Sequence, residues 1–271
     1  MTLRKAFGFL ATATAVALRL GAHDYWLEPA QTLAEPPATV ALRLLVGENL
    51  HADEEREFAA ARVPRCEVVT AAGRQDLRPR LVEGAKPFGR IELTASGTHL
   101  IVLERTPATI TLEPAKFTEY LQEEGLDEIV AERSRRGETN RAGRERYARF
   151  LKCFVRSGTK VEAVVPGAMQ RLDIAPGLHA DRAMRTGDGM RVRFTFDGAP
   201  LKHAAAFAAV RRADGTVATQ KITTDDDGWT TVRLTDAGLW VVRLVHMRRA
   251  PADDNAVDWE SYWAACSFGV T

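Results

Sequence analysis

A histidine follows the N-terminal apolar segment at the point where a secretory peptidase would cut. Two basic residues precede an apolar run over residues 6–18, and the small residues Gly21 and Ala22 come directly before His23. This is the pattern of a signal peptide over residues 1–22. Cleavage after Ala22 would leave His23 with a free α-amine beside its imidazole, and these two nitrogens chelate transition metals. The pattern therefore predicts export and a candidate metal site at His23.

The exact position of the cut is open, because Leu20 rather than a small residue stands three positions before it. Cleavage a few residues earlier would abolish the chelate at His23. The apolar run is also shorter than the roughly 20 residues that a membrane span needs, and no later stretch is long enough. We therefore expect no direct membrane insertion after signal cleavage.

A second set of candidate metal ligands lies near the C-terminus. Alternation over residues 240–247 predicts a strand with Arg243 facing water and His246 on the opposite, inward face. Asp258 and Glu260 belong to a polar and aromatic stretch that we expect to form a loop over one sheet end. There their carboxylates could accept from His246 or hold a cation. The alternatives are a hydrogen-bonded core histidine and an aromatic structural plug.

Two further polar stretches are weaker candidates. Glu48 and His51 stand close together at a strand end, which hints at a metal site but equally suits an ordinary exit from strand to loop. The acidic run at residues 224–229 lacks the alternating ligands and distal glutamate of an EF-hand calcium loop. Its Asp-Gly pair favours a hairpin turn instead.

Composition and motifs exclude several function classes. The chain has 37 Lys and Arg against 36 Asp and Glu, a net charge of +1, so no global field favours nucleic acid or an anionic membrane. The three cysteines are far apart and form no Cys-x-x-Cys motif, and at most one disulfide can form. Nucleophile elbows, phosphate loops, dinucleotide glycine patterns and His-Glu-x-x-His are all missing. We therefore expect a protein that is not an enzyme.

The elements that must position these residues are mainly strands. Short apolar runs at 38–46 and 97–104 predict strands in an N-terminal β domain over residues 23–165. Charged segments with apolar residues at three- and four-residue steps predict a helical hairpin inserted at about residues 114–152. Its first helix carries Phe117, Tyr120, Leu121, Leu126, Ile129 and Val130, and its second carries Tyr147, Phe150, Leu151 and Phe154.

The C-terminal part, residues 166–271, shows strand patterns separated by turns. Residues 190–196 alternate strictly, which puts Met190, Val192, Phe194 and Phe196 on one buried face. Asp-Gly turns and further strands at this spacing predict an antiparallel β-sandwich of immunoglobulin or prealbumin type. The further strands are predicted at 207–211, 217–223, 229–234, 239–247 and 263–270.

Ten segments in the same order resemble one family, the bacterial periplasmic proteins called domain of unknown function 4198, which are associated with nickel and cobalt uptake. The resemblance covers nearly all of the chain after the signal peptide. The segments are AHDYWLEP (22–29), VGE (46–48), FTEYL (117–121), EGL (124–126), ERYARFLK (145–152), DGAPL (197–201), TDDDG (224–228), GLW (238–240), HM (246–247) and DWESYW (258–263).

The resemblance implies a periplasmic accessory protein that binds a divalent transition metal, nickel or cobalt, and supplies it to a metal importer in the membrane. His23 is the first predicted ligand and His246 the second, with Glu260 and Asp258 completing the site or orienting His246. Copper is a competitor, because it binds nitrogen ligands more tightly than nickel does.

Two other functions compete with metal supply. One is a carbohydrate-binding or protein-binding module of the cell envelope, in which Trp259, Tyr262 and Trp263 would form an exposed contact surface. The other is a copper oxidative enzyme, which would need a second histidine beside His23 and an open coordination position. Convergence of His23, His246 and a carboxylate would distinguish the metal hypothesis from both.

Overall fold

The computed structural model describes residues 24–158, 169–177 and 182–271. The predicted signal peptide and His23 lie outside these residues. The fold is mainly β, with several antiparallel sheets and two short helices, α1 (Pro114–Glu123) and α2 (Asp127–Arg135). Two 3₁₀ turns occur at Ala60–Arg62 and Arg78–Arg80.

Seventeen strands are formed within the described residues. In the N-terminal part they are β1 (Asp24–Pro29), β2 (Leu33–Ala34), β3 (Ala38–Glu48), β4 (His51–Arg56), β5 (Arg65–Thr70), β6 (Gly73–Asp76), β7 (Gly89–Leu93), β8 (Gly97–Leu112) and β9 (Gly143–Ser157). In the C-terminal part they are β10 (Leu172–Pro176), β11 (Gly189–Phe196), β12 (Ala199–Pro200), β13 (Ala205–Arg211), β14 (Val217–Thr223), β15 (Trp229–Arg233), β16 (Gly238–Arg249) and β17 (Trp259–Val270).

A nine-stranded sheet lies between two four-stranded sheets. Its main order is β14-β13-β16-β17-β9-β8-β5-β6, and β2 also pairs with β9. One smaller sheet contains β1, β3, β4 and β7, and the other contains β10, β11, β12 and β15. Because β9 and β17 are paired in parallel, strands from both sides of the expected domain boundary at 165/166 share this sheet. The division into domains and the immunoglobulin or prealbumin type stay predictions.

The large sheet buries both of its faces. Along β9, Phe150 and Phe154 pack toward the sheet that contains β11, whereas Leu151, Cys153 and Val155 pack toward the sheet that contains β1. Adjacent side chains of a strand point to opposite faces, so a strand covered on both sides requires a run that is apolar at nearly every position. Lys152 is the one charged residue in this run. The side chains from Phe150 to Val155 are therefore all buried.

This two-sided burial overturns the second predicted helix. The residues expected to form it belong to strand β9, whereas α1 and α2 together account for the first apolar stripe. A run that is apolar on both faces includes positions three and four apart, so it imitates a helical stripe. Asp225 accepts from the backbone N–H groups of Asp227 and Trp229 and closes a turn there. This turn links β14 of the nine-stranded sheet to β15 of a four-stranded sheet, so the two strands do not pair and the predicted hairpin is wrong.

The polar and aromatic stretch at residues 258–263 is also not the expected loop. Residues 259–263 form the first part of β17, paired with β16 on one side and with β9 on the other. Its polar side chains are satisfied within the sheet: Ser261 donates to the buried carboxylate of Glu145, and Trp263 donates to Ser261. The stretch is a strand because its neighbours on both sides complete its backbone hydrogen bonds.

All three cysteines are buried and free. Burial raises the pKa of Cys66 and of Cys266 to about 12, which keeps both thiols protonated and unreactive near neutral pH. Among the described residues, no helix is both long and apolar enough to cross a membrane.

A buried ion pair crosses the interior between β9 and β10. Lys152 Nζ lies 2.6 Å from Asp173 Oδ1, and both side chains are only 1 % exposed. The ammonium also donates to the carbonyl of Ile174, and the carboxylate also accepts from the backbone N–H groups of Met169 and Gln170. Each charge is therefore both paired and hydrogen-bonded, which is the condition for tolerating charge in an interior.

Replacing Lys152 with methionine should destabilise the protein by about 3–5 kcal/mol, because it leaves Asp173 buried without its counter-charge. The double variant K152M/D173N should recover at least half of that loss, since the asparagine oxygen still accepts from Met169 and Gln170 without carrying charge. Urea unfolding at pH 7 measures both values. A double variant no more stable than K152M alone would contradict the role given to the unpaired charge.

Candidate functional site

The first described residue, Asp24, is held on two sides. It pairs with Gly47 of β3, and its carboxylate Oδ1 lies 2.9 Å from Arg243 Nε. Arg243 also donates to the carboxylate of Glu124 at the C-terminal end of α1. Arg243 was expected to face water, but a second sheet and the helices cover that face, so it is satisfied by carboxylates. Two carboxylates thus share one guanidinium beside the predicted start of the mature chain.

The turn between β3 and β4 lies next to Asp24. Glu48 pairs with His51 across this turn, while Asn49 and Leu50 have φ values of 49° and 57°. Glycine is required at Gly47, because any Cβ there would overlap the carbonyl oxygen of His51. Asp24, Asn49, Leu50 and Arg243 help to line a cavity of about 20 Å³, which has room for a single water molecule. The turn and the start of β1 therefore form one corner of the molecule.

His23 lies outside the described residues, but its covalent bond limits its distance from this corner. Consecutive Cα atoms of a trans peptide are about 3.8 Å apart, so the backbone of residue 23 is one step from Asp24. Asp24 is opposite Gly47, and Glu48 is the next residue of that partner strand. Glu48 and His51 are both exposed. The sequence singled out this pair only as a weak hint, because nothing local places it beside the N-terminus.

His246 lies on the other face of the nine-stranded sheet. Its ring centroid is 4.5 Å from that of Phe196 in β11, whereas Arg243, an odd number of positions away on β16, points to β1. Burial and the nearby Arg248 lower the pKa of His246 to about 4, so its imidazole is neutral near pH 7. The structure therefore places His246 near the predicted inward face but separates it from Asp24 by the sheet.

The two predicted carboxylate ligands are occupied by arginines. Both carboxylate oxygens of Asp258 accept hydrogen bonds from Arg144, at 2.9 and 2.7 Å, and these hydrogen bonds lower the pKa of Asp258. Burial alone would raise the pKa of Glu260, but hydrogen bonds from Arg248 and Tyr262 outweigh it and hold the pKa below its ordinary value. No group of three or more His, Cys, Asp or Glu side chains suited to a metal occurs within the described parts of the chain.

The aromatic residues of the C-terminal stretch do not form an exposed surface. Trp259 is fully buried, Tyr262 is 4 % exposed and Trp263 is 8 % exposed. Trp263 stacks on Tyr120 of α1, with ring centroids 5.5 Å apart. These side chains therefore join β17 to the helices and the core, and the contact surface that a carbohydrate-binding or protein-binding module would need is not present at them.

A cleft of about 300 Å³ opens beside Glu260 and Tyr262. Arg146 and Arg171 also line it, but both are paired with carboxylates: Arg146 lies 2.6 Å from Asp254 and 3.5 Å from Glu260, and Arg171 lies 2.8 Å from Asp197. The charges of Arg146 and Arg171 are therefore satisfied within the protein, whereas Arg105, which also lines the cleft, has no ion pair with a carboxylate of the described residues.

A model of a protein family described as domain of unknown function (DUF4198) matches residues 20–248. The match begins just before His23 and includes β1, the turn after β3, both helices and most of β16. No curated protein matches the chain.

Glu124 makes stability depend on pH. It is 2 % exposed, and burial raises its pKa to about 7 from an ordinary 4.5. Between these values the folded protein holds a proton that the unfolded chain has lost, so the stability contributed by this group falls as the pH rises. Relative to E124Q, the wild type should lose up to about 3 kcal/mol of unfolding free energy between pH 4.5 and pH 8.

Urea unfolding of both proteins across this range tests the prediction, with the exposed neighbour variant E123Q as the control. The difference in unfolding free energy between wild type and E123Q should not change with pH. A flat difference between wild type and E124Q would show that Glu124 titrates in the same range whether the chain is folded or not.

Proposed function

The chain belongs to the family described as domain of unknown function 4198, and on this premise we propose that it binds nickel or cobalt in the periplasm and supplies the ion to a membrane importer. The ion is cargo, and the mature N-terminus is its binding site. The α-amine and imidazole of His23 provide the first two ligands. The observation that carries this proposal is the anchoring of Asp24, which holds the predicted start of the mature chain against the turn between β3 and β4.

Rigid support matters because a terminal chelate alone binds weakly when the terminus moves. Asp24 is tied by the ladder to β3 and by the ion pair to Arg243, and Tyr25 is tied by its stack on Arg149, whose guanidinium carbon is 3.9 Å from the ring centroid. A ligand held by its neighbours loses less conformational freedom on binding. Asp24 and Tyr25, which directly follow the predicted cleavage site and His23, are thus both held by residues far away in the sequence.

Further donors come from the turn. Glu48 and His51 are a directly opposed pair, so their side chains share one face of the sheet. Both are exposed. An amine, two imidazoles and one carboxylate form a donor set of the nitrogen-rich kind that suits nickel, cobalt and copper. We therefore assign Glu48 and His51, rather than His246, as the donors that complete the site.

The other predicted ligands are left out for electrostatic and geometric reasons. Asp258 and Glu260 already neutralise Arg144 and Arg248, so a metal would have to displace a charged hydrogen bond at each. His246 packs on the opposite sheet face. Copper stays a competitor at the same nitrogens, and the choice of metal is decided by titration.

Metal titration of the mature protein tests the proposal, with the N-terminus at His23 verified by mass spectrometry. One equivalent of nickel or cobalt should bind to the wild type. H23A should weaken binding by at least about 100-fold, because it removes the imidazole and leaves the α-amine as a single ligand without a chelate, and H51A should weaken it by about 10-fold to 100-fold. Isothermal titration with nickel, cobalt, copper and zinc ranks the ions.

Two histidine variants serve as controls. H246A should bind like the wild type, because His246 is on the far side of the sheet, and so should H203A, whose exposed imidazole pairs with Asp226. Equal binding by wild type and H23A would refute the N-terminal chelate. Loss of binding in H246A with normal folding would return His246 to the site and refute the assignment of the turn.

A further inference from the structure

Two arginines stand directly opposite each other on adjacent strands. Arg105 of β8 pairs with Arg149 of β9 in the antiparallel ladder, beside a register shift that follows Arg105. Like charges at directly opposed positions repel, so such a pair is destabilising by itself. We call Arg105 and Arg149 the arginine pair.

Neither member of the arginine pair has an ion pair or hydrogen bond with a carboxylate of the described residues. Their contacts are with aromatic faces instead: the guanidinium carbons lie 5.4 Å (Arg105) and 3.9 Å (Arg149) from the ring centroid of Tyr25. Arg149 also lies 5.3 Å from the Tyr147 ring and 4.9 Å from the Trp263 ring. Ring stacking leaves the N–H groups at the edges of a guanidinium free to donate.

A third arginine adds an unsatisfied donor nearby. Arg56 pairs with Glu54 through one terminal nitrogen at 2.9 Å, but its Nε is buried and has no hydrogen-bond partner among the described residues. Arg56 also repels Arg105, and burial together with this repulsion lowers the pKa of Arg105. Burial and repulsion from Arg105 likewise lower the pKa of Arg149. Positive charge is thus concentrated here, and Asp24, whose carboxylate acts to raise the pKa of Arg149, is ion-paired with Arg243.

Several other half-buried arginines are neutralised by carboxylates. Arg211 contacts Glu28, Arg243 contacts Asp24 and Glu124, and Arg249 contacts Glu132 and Glu138. Two directly opposed arginines that form no such ion pair repel each other, so a counter-ion between them would be stabilising.

We propose that the arginine pair, with Tyr25 as its floor, binds a small oxyanion, a carboxylate or phosphate group carried by a soluble ligand. The guanidinium edges offer parallel N–H donors that match the two oxygens of such a group. The bound oxyanion neutralises the repulsion between Arg105 and Arg149. The flanking rings restrict the site to a small ligand. The site is separate from the metal ligands proposed at His23, Glu48 and His51, although the stack of Tyr25 on Arg149 also supports the chain next to His23.

The test uses the mature protein freed of metal and of chelator, with inorganic phosphate, citrate and chloride as probes at matched ionic strength. Phosphate or citrate should raise the thermal unfolding midpoint of the wild type in a saturable way, and chloride should not. Isothermal titration then gives the affinities. Stronger binding of citrate would identify a carboxylate ligand, and stronger binding of phosphate would identify a phosphate ligand.

The variants R105Q and R149Q should each bind the preferred anion at least about tenfold more weakly than the wild type. The matched control is R191Q, which removes an arginine stacked at 4.3 Å on Trp229 in a different sheet and should leave binding unchanged. Without any anion, R105Q should be at least as stable as the wild type, because one of two repelling charges is gone.

Two results would overturn the proposal. Absence of saturable stabilisation by both phosphate and citrate would show that the arginine pair binds no oxyanion. Binding that R105Q and R149Q retain at the strength of R191Q would show that the anions act elsewhere. Because no metal is present, neither result bears on the nickel or cobalt site.

Discussion

The parallel ladder between β9 and β17 is the contact on which the rest of the structure depends. It runs from the pair Trp259 and Glu145 to the pair Ser267 and Cys153, and it joins strands that are more than 100 residues apart in the chain. β1 packs across these two strands, so the position of Asp24 is set by this ladder as well as by β3. A shift of the strand pairing by one residue would turn every side chain of β9 toward the opposite face of the sheet.

Buried polar groups fix the register of this ladder. Ser261 and Tyr120 donate to the carboxylate of Glu145, and Ser267 donates to the carbonyl of Leu27. A slipped ladder would leave these groups unpaired in an interior, where an unpaired polar group costs about 1–3 kcal/mol. Glu145 is only 2 % exposed, and burial raises its pKa even with these donors. The Lys152–Asp173 pair constrains the facing sheet in the same way.

Charge is distributed unevenly over the two sides of the central sheet. Around His246 and Glu260, arginines and carboxylates neutralise each other, and the imidazole is neutral and packed on aromatic rings. Near Asp24 the balance is different: two carboxylates share Arg243, while Arg105 and Arg149 form no ion pair with a carboxylate of the described residues. Excess positive charge therefore lies close to the predicted mature N-terminus, and both proposals concern this end of the molecule and not the C-terminal cluster.

Strands that are buried on one face and turns that are closed by nearby residues are predictable from the sequence. Strand β11 buries Met190, Val192 and Phe194 as its alternation predicts, β14 has the predicted bounds, and Asp225 closes its turn. The sequence also led to His23 as a candidate ligand, whereas the acids that it singled out, Asp258 and Glu260, are paired with arginines. These features depend on residues within a few positions of each other, so period and turn chemistry are sufficient to find them.

Three features emerge only from the fold: β9 is a strand covered on both faces, Arg243 is enclosed by carboxylates, and Arg105 stands opposite Arg149. Each of these follows from the pairing of distant segments. Local periodicity reports how one element meets one surface, and it contains no information about a second sheet on the other side or about the register between strands far apart in the chain.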